Sequence, residues 1–237
     1  MSPRILIVGA QHGDERLGPR LQRFLKAERT GRYQSVDYLS GNPRALRLNT
    51  RFTETDLNRS YNTQPPRTYE QKRAQKILRY IAAGNYDCVV DIHTSRADVG
   101  RFFLATQCSG AVTRIINASD FDRVAIMPPD IADCSLIGQV PQAISIEYNR
   151  RLARSKRALQ ELVLLLDNLL DNRPRKPRER QFFYVDGTIP LDCPVEDSAQ
   201  NFELCAQGFY PIIFKARAGS YATHQGFMAR RREVRFV

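Results

Sequence analysis

The N-terminal part of the chain alternates continuous apolar runs with segments of helical spacing. The run Ile5–Val8 is unbroken and ends at Gly9, which is typical of a strand covered on both faces of a parallel sheet. Apolar residues then recur at helical spacing from Leu17 to Leu25. The pattern therefore predicts an α/β fold that begins with a buried strand.

The alternation continues to about residue 172. It predicts strands at 33–39, 86–92, 101–105, 123–127 and 143–146, and helices at 68–83, 110–118 and 151–172. The polar segment from Arg44 to Pro66 has little periodicity. Long irregular segments inside compact domains are usually functional, so we expect this one to carry binding residues.

The pattern changes after residue 172. Residues 173–180 are rich in arginine and proline, as in an exposed linker. Short β-like runs follow at 181–185, 202–206, 210–214 and 233–237. We therefore predict a main domain over 1–172, a linker over 173–180 and a small, mainly β C-terminal domain over 181–237.

Composition limits the classes of protein that fit. A chain of 237 residues is long enough for a sizeable core, and its longest apolar runs fall well short of a bilayer span. The first apolar run is too short for a signal peptide, so we predict a cytoplasmic protein without membrane contact. The five cysteines are scattered and form no CxxC pair, which argues against disulfides and against a thiolate zinc site.

The net charge of +11 has several readings. It fits nucleic acid binding, attraction of a small anionic substrate into a positive cleft, or a well-solvated surface. The basic run at 173–180 is interpreted as a solvated hinge rather than as a nucleic-acid contact. We expect a small anionic substrate and no nucleic acid partner, and we leave open whether the chain forms a homo-oligomer.

Two of the three histidines follow predicted buried strands. His12 and Glu15 lie on the turn after the first strand, and His93 follows the strand at 86–92. The carboxyl ends of parallel strands meet at one edge of a sheet, where ligands bind. These residues could therefore form a zinc site with an open coordination position. The alternative is a hydrogen-bonded turn with no metal, because His-x-x-Glu spacing also occurs by chance.

Further side chains could act beside such a metal. Glu147 ends the strand at 143–146 and could serve as a general base, or as an ordinary salt-bridged glutamate. Arg51, Asn58 and Arg59 lie in the irregular segment and offer groups that bind a carboxylate or polarise a carbonyl. Asp56 could orient an arginine there. From the residues alone, a solvated loop with an Asp-Arg pair is the favoured interpretation.

Four sequence blocks resemble the succinylglutamate desuccinylase/aspartoacylase family of zinc-dependent N-acyl amino acid hydrolases, which are similar in fold to zinc carboxypeptidases. The blocks are Gly9–Glu15, Asn42–Arg59, Asp91–Thr94 and Ile146–Glu147. The resemblance implies a mixed, largely parallel sheet flanked by helices. It also implies one Zn²⁺ per chain and an N-acyl amino acid as the substrate.

The resemblance assigns a role to each candidate residue. His12, Glu15 and His93 would be the zinc ligands, and Glu147 would be the general base. Arg51 would polarise the scissile carbonyl.

Substrate contacts follow from the same resemblance. Asn58 and Arg59 would bind the carboxylate of the amino acid, and Tyr221 would contact the substrate. Aspartoacylases carry a second anion-binding arginine before the base, whereas the segment 133–136 contains none. Arg96, Arg101 or Arg150 could replace it.

Two other functions fit the same residues. One is a carboxypeptidase-like hydrolase that acts on a peptide or a modified C-terminus, since the same groups would serve. The other is an inactive module that binds anions or nucleic acid without zinc. Metal content and a substrate panel distinguish these functions from the N-acyl amino acid hydrolase.

Overall fold

The computed structural model describes residues 2–28, 31–174, 179–215 and 224–232 of the chain. Within these ranges the strands are β1 (Ile5–Gly9), β2 (Val36–Ser40), β3 (Cys88–Ser95), β4 (Arg101–Ala105), β5 (Arg123–Ile126), β6 (Ala143–Asn149), β7 (Gln181–Ile189), β8 (Tyr210–Ile212) and β9 (Gly226–Arg232). The helices are α1 (Leu17–Ala27), α2 (Pro43–Leu48), α3 (Tyr69–Gly84), α4 (Gly110–Asn117), α5 (Pro129–Ala132), α6 (Leu136–Gln139), α7 (Arg150–Ala153) and α8 (Lys156–Leu170), with a 3₁₀ turn at Leu57–Arg59.

The strands join into one nine-stranded sheet in the order β2-β1-β3-β6-β4-β5-β7-β9-β8. Neighbouring strands are parallel except at β4–β6, β7–β9 and β8–β9. The predicted mixed, largely parallel sheet flanked by helices is therefore confirmed.

Both faces of the sheet are covered by apolar side chains. In β1, Ile5 and Ile7 pack with α1, α4 and α8, whereas Leu6 and Val8 pack with α3 on the opposite face. All of the β1 residues are buried, because successive side chains of a strand point to opposite faces and both faces of this sheet are covered. This arrangement explains why the first strand is a continuous apolar run.

The structure corrects the predicted helix over 151–172, which consists of two helices, α7 and α8. The break is at Ser155, whose hydroxyl accepts a hydrogen bond from the Ala158 backbone and caps α8. The irregular segment also contains more structure than predicted, because Asn42 caps the short helix α2 at its start.

The predicted strand over 202–206 is wrong, since these residues lie in turns, a bend and irregular backbone. Phe202 has a φ of +67°, which is incompatible with a strand, and its ring packs against Phe102 and Phe183. The predicted strand over 233–237 lies outside the described residues.

The C-terminal strands continue the main sheet, because β7 is hydrogen-bonded in parallel to β5. β8 and β9 then extend the same edge. The strands β7, β8 and β9 therefore belong to the sheet that also carries the N-terminal strands, and the proposed division of the chain at 172 and 180 stays a prediction. In the described ranges, no helix has both the length and the apolar composition needed to cross a membrane.

Candidate active site

The turn after β1 is held tightly against α2. Ala10 has a φ of +56°, so the chain bends sharply as it leaves the strand. A Cβ atom on Gly13 would lie 2.1 Å from the carbonyl carbon of Ala45, so only glycine allows this approach. The Gly13 backbone also donates a hydrogen bond to the carbonyl oxygen of Arg51. These contacts fix the positions of His12 and Glu15 relative to the following loop.

The structure brings the three predicted metal ligands together. His12, Glu15 and His93 are buried, and one potential ligand atom from each lies within 4.8 Å of the others. The Nδ1 atom of His12 is 2.8 Å from Glu15 Oε1, and the Nδ1 atom of His93 is 3.4 Å from Glu15 Oε2. Both imidazoles therefore direct Nδ1 toward the same carboxylate.

The Nε2 atom of each imidazole contacts a further carboxylate, a different one for each ring. His12 Nε2 lies 3.0 Å from Asp56 Oδ1, and His93 Nε2 lies 2.7 Å from Asp91 Oδ2. Such carboxylate–imidazole pairs are typical of metal sites, where they fix the orientation of the ring and leave the other nitrogen for the metal. Nδ1 is therefore the expected ligand atom in both histidines.

Asp91 is itself held by a buried network. Its Oδ2 atom accepts hydrogen bonds from Gln11 Nε2 at 2.7 Å and from Ser145 Oγ at 3.2 Å. Tyr61 donates in turn to Gln11 Oε1 at 2.8 Å. The network connects the turn after β1, the loop that follows the 3₁₀ turn, and strands β3 and β6 behind His93.

The electrostatics of the cluster favour a cation at its centre. Burial opposes a charge on His12 and His93, but the adjacent carboxylates raise the pKa of both imidazoles above the usual value. Burial likewise opposes a charge on Glu15, yet the two histidines lower its pKa to about 2. In the described structure the buried Oε2 atom of Glu15 accepts no hydrogen bond.

This donor set fits zinc. Two imidazole nitrogens and a carboxylate oxygen form one of the usual three-ligand sets for a catalytic zinc ion. The unsatisfied Glu15 Oε2 atom is the kind of buried group that a bound cation would satisfy. Metal binding would displace the protons on the two Nδ1 atoms.

Glu147 lies beside His93 on the adjacent strand. The two residues are directly paired in the β3–β6 register, and both line the cavity above the metal ligands. β3 continues to Ser95, beyond the predicted end at Ile92, because β6 runs alongside it. Burial raises the pKa of Glu147 to about 7, so its carboxyl group can both accept and release a proton near neutral pH.

The loop residues predicted to bind substrate line the same cavity. Arg51, Asn58 and Arg59 all contribute to its wall. Asp56 Oδ2 accepts hydrogen bonds from Arg51 Nε at 3.1 Å and from Arg51 Nη2 at 2.9 Å. Asp56 therefore holds Arg51 with one oxygen and His12 with the other. The predicted substrate contact Tyr221 lies outside the described residues.

Glu70, at the start of α3, fixes the loop from the other side. This buried carboxylate accepts hydrogen bonds from the backbone of residues 53–55, from the Thr53 hydroxyl and from Asn42 Nδ2. Burial opposes its charge, but these bonds, chiefly those from Thr53, lower the pKa of Glu70. A charged group at the first turn of a helix thus orders the segment that leads to Asp56.

The arginines considered as replacements for a second anion-binding residue occupy different places. Arg96 and Arg150 line the cavity, where both lie close to Asp14. Arg101 instead pairs with Glu161 and lies over the ring of Phe121. It does not appear among the lining residues of the cavity in the described part of the chain.

Sequence reasoning missed the residues behind the ligands. Asp91 could have been found, because the Asp-x-His spacing on a strand places both side chains on one face. Gln11, Tyr61 and Glu70 carry no such local signal, since their partners lie at least 15 residues away in sequence.

Comparison with known sequences identifies a family. The sequence model described as the succinylglutamate desuccinylase/aspartoacylase catalytic domain matches residues 1–125. A probable aspartoacylase from Nostoc sp. is 32% identical over 109 residues, which cover 41% of this chain and 37% of the relative. A probable aspartoacylase from Prochlorococcus marinus is 33% identical over 109 residues, covering 41% and 36%. The chain thus matches well under half the length of these relatives.

Comparison with solved structures extends over nearly the whole chain. Murine aminoacylase 3 superposes with a TM-score of 0.76 at 18% identity, covering 98% of this chain and 96% of that one. The succinylglutamate desuccinylase from Chromobacterium violaceum gives a TM-score of 0.75 at 15% identity, covering 98% and 86%. At these identities the similarity shows a shared fold.

Proposed function

Because the chain belongs to the succinylglutamate desuccinylase/aspartoacylase family, whose catalytic-domain model matches residues 1–125, we propose that it is a zinc-dependent hydrolase of N-acyl amino acids. The reaction would cleave the linear amide bond and release a carboxylic acid and a free amino acid. The observation that carries the proposal is the convergence of His12, Glu15 and His93 beside Glu147 in one cavity.

His12 Nδ1, His93 Nδ1 and the Glu15 carboxylate would hold one zinc ion. When bound, zinc supplies Lewis acidity, which lowers the pKa of a water molecule and polarises a carbonyl oxygen. The carboxylates of Asp56 and Asp91 keep both imidazoles in the orientation that this binding requires.

The proton transfers fall to Glu147. Its carboxylate would accept a proton from the attacking water and then donate it to the nitrogen of the leaving amine. A pKa near 7 suits both steps, because the group exchanges protons readily at neutral pH. The register pairing with His93 sets the position of Glu147 relative to the metal ligands.

The loop residues would bind and polarise the substrate. Arg51, held by Asp56, would donate hydrogen bonds to the carbonyl oxygen as negative charge develops on it. Asn58 and Arg59 would bind the α-carboxylate, for which a guanidinium group offers paired donors. The +11 charge of the chain is consistent with an anionic substrate.

Zinc content and turnover test the proposal together. The zinc-loaded protein is expected to contain one zinc per chain and to hydrolyse members of an N-acetyl amino acid panel faster than the matching dipeptides. Glu147→Gln should retain zinc but lose about 10²–10⁴-fold in kcat, because the general base is removed. His93→Ala should lose zinc. Glu203→Gln, at an exposed glutamate, serves as the control and should behave as wild type.

Several results would contradict the proposal. Faster turnover of dipeptides would favour the carboxypeptidase-like function. A protein that binds no zinc and hydrolyses no member of either panel would contradict both enzyme functions. Wild-type turnover in Glu147→Gln would remove the assignment of the base.

A further inference from the structure

A second cavity adjoins the one lined by His12, Glu15 and His93, which we call the metal-side cavity. Its volume is about 270 Å³, and it shares Asn58, Arg59, Glu147 and Ile213 with the wall of the metal-side cavity. The remaining lining is mainly apolar and includes Leu104, Met127, Ile131, Ala132, Ile137 and Phe227. The two cavities therefore meet at the residues proposed to bind the α-carboxylate and to transfer the proton.

Two of the hydroxyl groups on this lining are hydrogen-bonded within the protein. Ser135 Oγ donates a hydrogen bond to the carbonyl oxygen of Ala132 at 2.6 Å, and Ser145 Oγ donates to Asp91 Oδ2 at 3.2 Å. Burial lowers the pKa of His224, which disfavours a positive charge on its imidazole. Among the described lining residues, the remaining cation is Arg59, which the α-carboxylate would occupy. A second carboxylate entering here would lose its hydration against a mainly apolar lining whose described cation, Arg59, is assigned to the α-carboxylate.

We propose, on the basis of the proposed function, that this cavity receives the side chain of the amino acid and selects apolar side chains over carboxylates. The α-carbon of an N-acyl amino acid is bonded both to the carboxylate carbon and to the amide nitrogen. With the carboxylate at Asn58 and Arg59 and the amide near Glu147, the side chain leaves the α-carbon beside the shared wall. It then reaches Met127, Ile131 and the other apolar residues of the lining.

The expected selectivity follows from the burial of apolar surface. Filling an apolar pocket with extra methylene groups changes kcat/KM by about 10–200-fold. The kcat/KM values for N-acetyl-leucine and N-acetyl-methionine should therefore exceed the value for N-acetyl-alanine by about 10-fold or more. The kcat/KM for N-acetyl-aspartate should be at least about 100-fold below that for N-acetyl-leucine, because its side-chain carboxylate would be desolvated against a mainly apolar lining.

Substitutions at Ile131 test the assignment of the cavity. Ile131 is only partly buried on α5, so changes there are less disruptive than changes deeper in the core. Ile131→Arg should lower kcat/KM for N-acetyl-leucine and raise it for N-acetyl-aspartate, moving their ratio by about 100-fold or more toward the acidic substrate. Ile131→Ala should shift the preference from leucine toward phenylalanine. Leu191→Arg places the same charge at an exposed leucine and should leave the preference unchanged.

The outcomes separate this inference from the proposed function. Hydrolysis with a preference for N-acetyl-aspartate in the wild type would overturn the apolar selectivity while supporting a deacylase. No hydrolysis of any N-acyl amino acid by the zinc-loaded protein would overturn both. If Ile131→Arg does not fold, as judged by its thermal transition, the Ile131→Ala variant tests the assignment of the cavity. An unchanged ratio of leucine to phenylalanine turnover in that variant would overturn the assignment.

Discussion

Asp56 connects two parts of the candidate active site, so its substitution gives a sharp prediction. The carboxylate accepts hydrogen bonds from His12 Nε2 and the Asn58 backbone on Oδ1, and from Nε and Nη2 of Arg51 on Oδ2. Burial opposes the charge of Asp56, but His12 and then Arg51 hold its pKa well below the usual value. In Asp56→Asn, one of these oxygens becomes an NH₂ group, which cannot accept a hydrogen bond.

Either orientation of the new amide therefore loses the hydrogen bonds on one side. If each lost bond to a charged group contributes about 1.5 kcal/mol, losing a pair costs about 3 kcal/mol. That free energy corresponds to a loss of roughly 100-fold in kcat/KM. The weaker support for His12 should also raise the dissociation constant for zinc by about 10–100-fold.

The control is Arg51→Met, which removes the arginine but leaves the contact between Asp56 and His12. This variant should lose kcat/KM while keeping zinc affinity within about 3-fold of wild type, since the imidazole remains held. Zinc affinity is measured by competition with a chromophoric chelator, and kcat/KM with the best substrate of the panel. In the double variant the two losses should combine to less than their product, because Asp56 acts partly through Arg51. Even the orientation that keeps the amide oxygen on His12 replaces an ionised acceptor by a weaker, neutral one, so wild-type zinc affinity in Asp56→Asn would refute the proposed support of His12.

Three further predictions concern pH, the loop and the turn. With a pKa of about 7 for Glu147, kcat/KM should increase as the pH rises through about 7, because the base must be deprotonated to accept a proton. The Glu147→Gln variant should show a flat, low pH profile. A wild-type profile without this rise would contradict the assignment of Glu147 as the base. Glu70→Gln should lower the free energy of unfolding by about 1.5–3 kcal/mol at pH 7 and raise KM. Because the pKa of Glu70 is lowered by folding, this stability difference, measured by urea unfolding, should shrink as the pH falls below about 4. Gly13→Ala should destabilise the protein by about 1–3 kcal/mol and weaken zinc binding, since its Cβ would overlap the Ala45 backbone; an unchanged thermal transition would contradict this.

Most of the fold was predictable because its strands are short apolar runs ended by turn residues. The strand at 101–105 and the helix capped by Thr68 lie where their patterns placed them. The predicted elements were wrong where a helix cap or packing between distant residues overrides the local apolar pattern. The long amphipathic stripe after residue 150 concealed the cap at Ser155 that divides it. Phe202 looked like a strand residue because it is apolar, but it is buried through ring packing in a turn.

The residues of the candidate site that lie at or just after the ends of strands were predictable from the sequence. His12, Glu15, His93 and Glu147 converge because parallel strands carry their carboxyl ends to one edge. The hydrogen-bonding partners of Glu70, by contrast, arise from the path of a loop, which single-sequence patterns do not specify. The cytoplasmic location and any homo-oligomer stay predictions.

The two cavities draw on different stretches of the chain. The residues proposed for metal binding and carboxylate binding lie between His12 and His93, within the 1–125 segment that matches the family. The apolar cavity is built mostly from later residues, such as Met127, Ile137 and Phe227. If the proposals hold, substitutions of these lining residues would change which amino acid is accepted while leaving the proposed metal ligands and Glu147 in place. The segment that matches the family thus carries the proposed metal ligands, whereas the proposed base Glu147 and most of the proposed side-chain cavity lie beyond it, so a match confined to residues 1–125 does not constrain the proposed substrate preference.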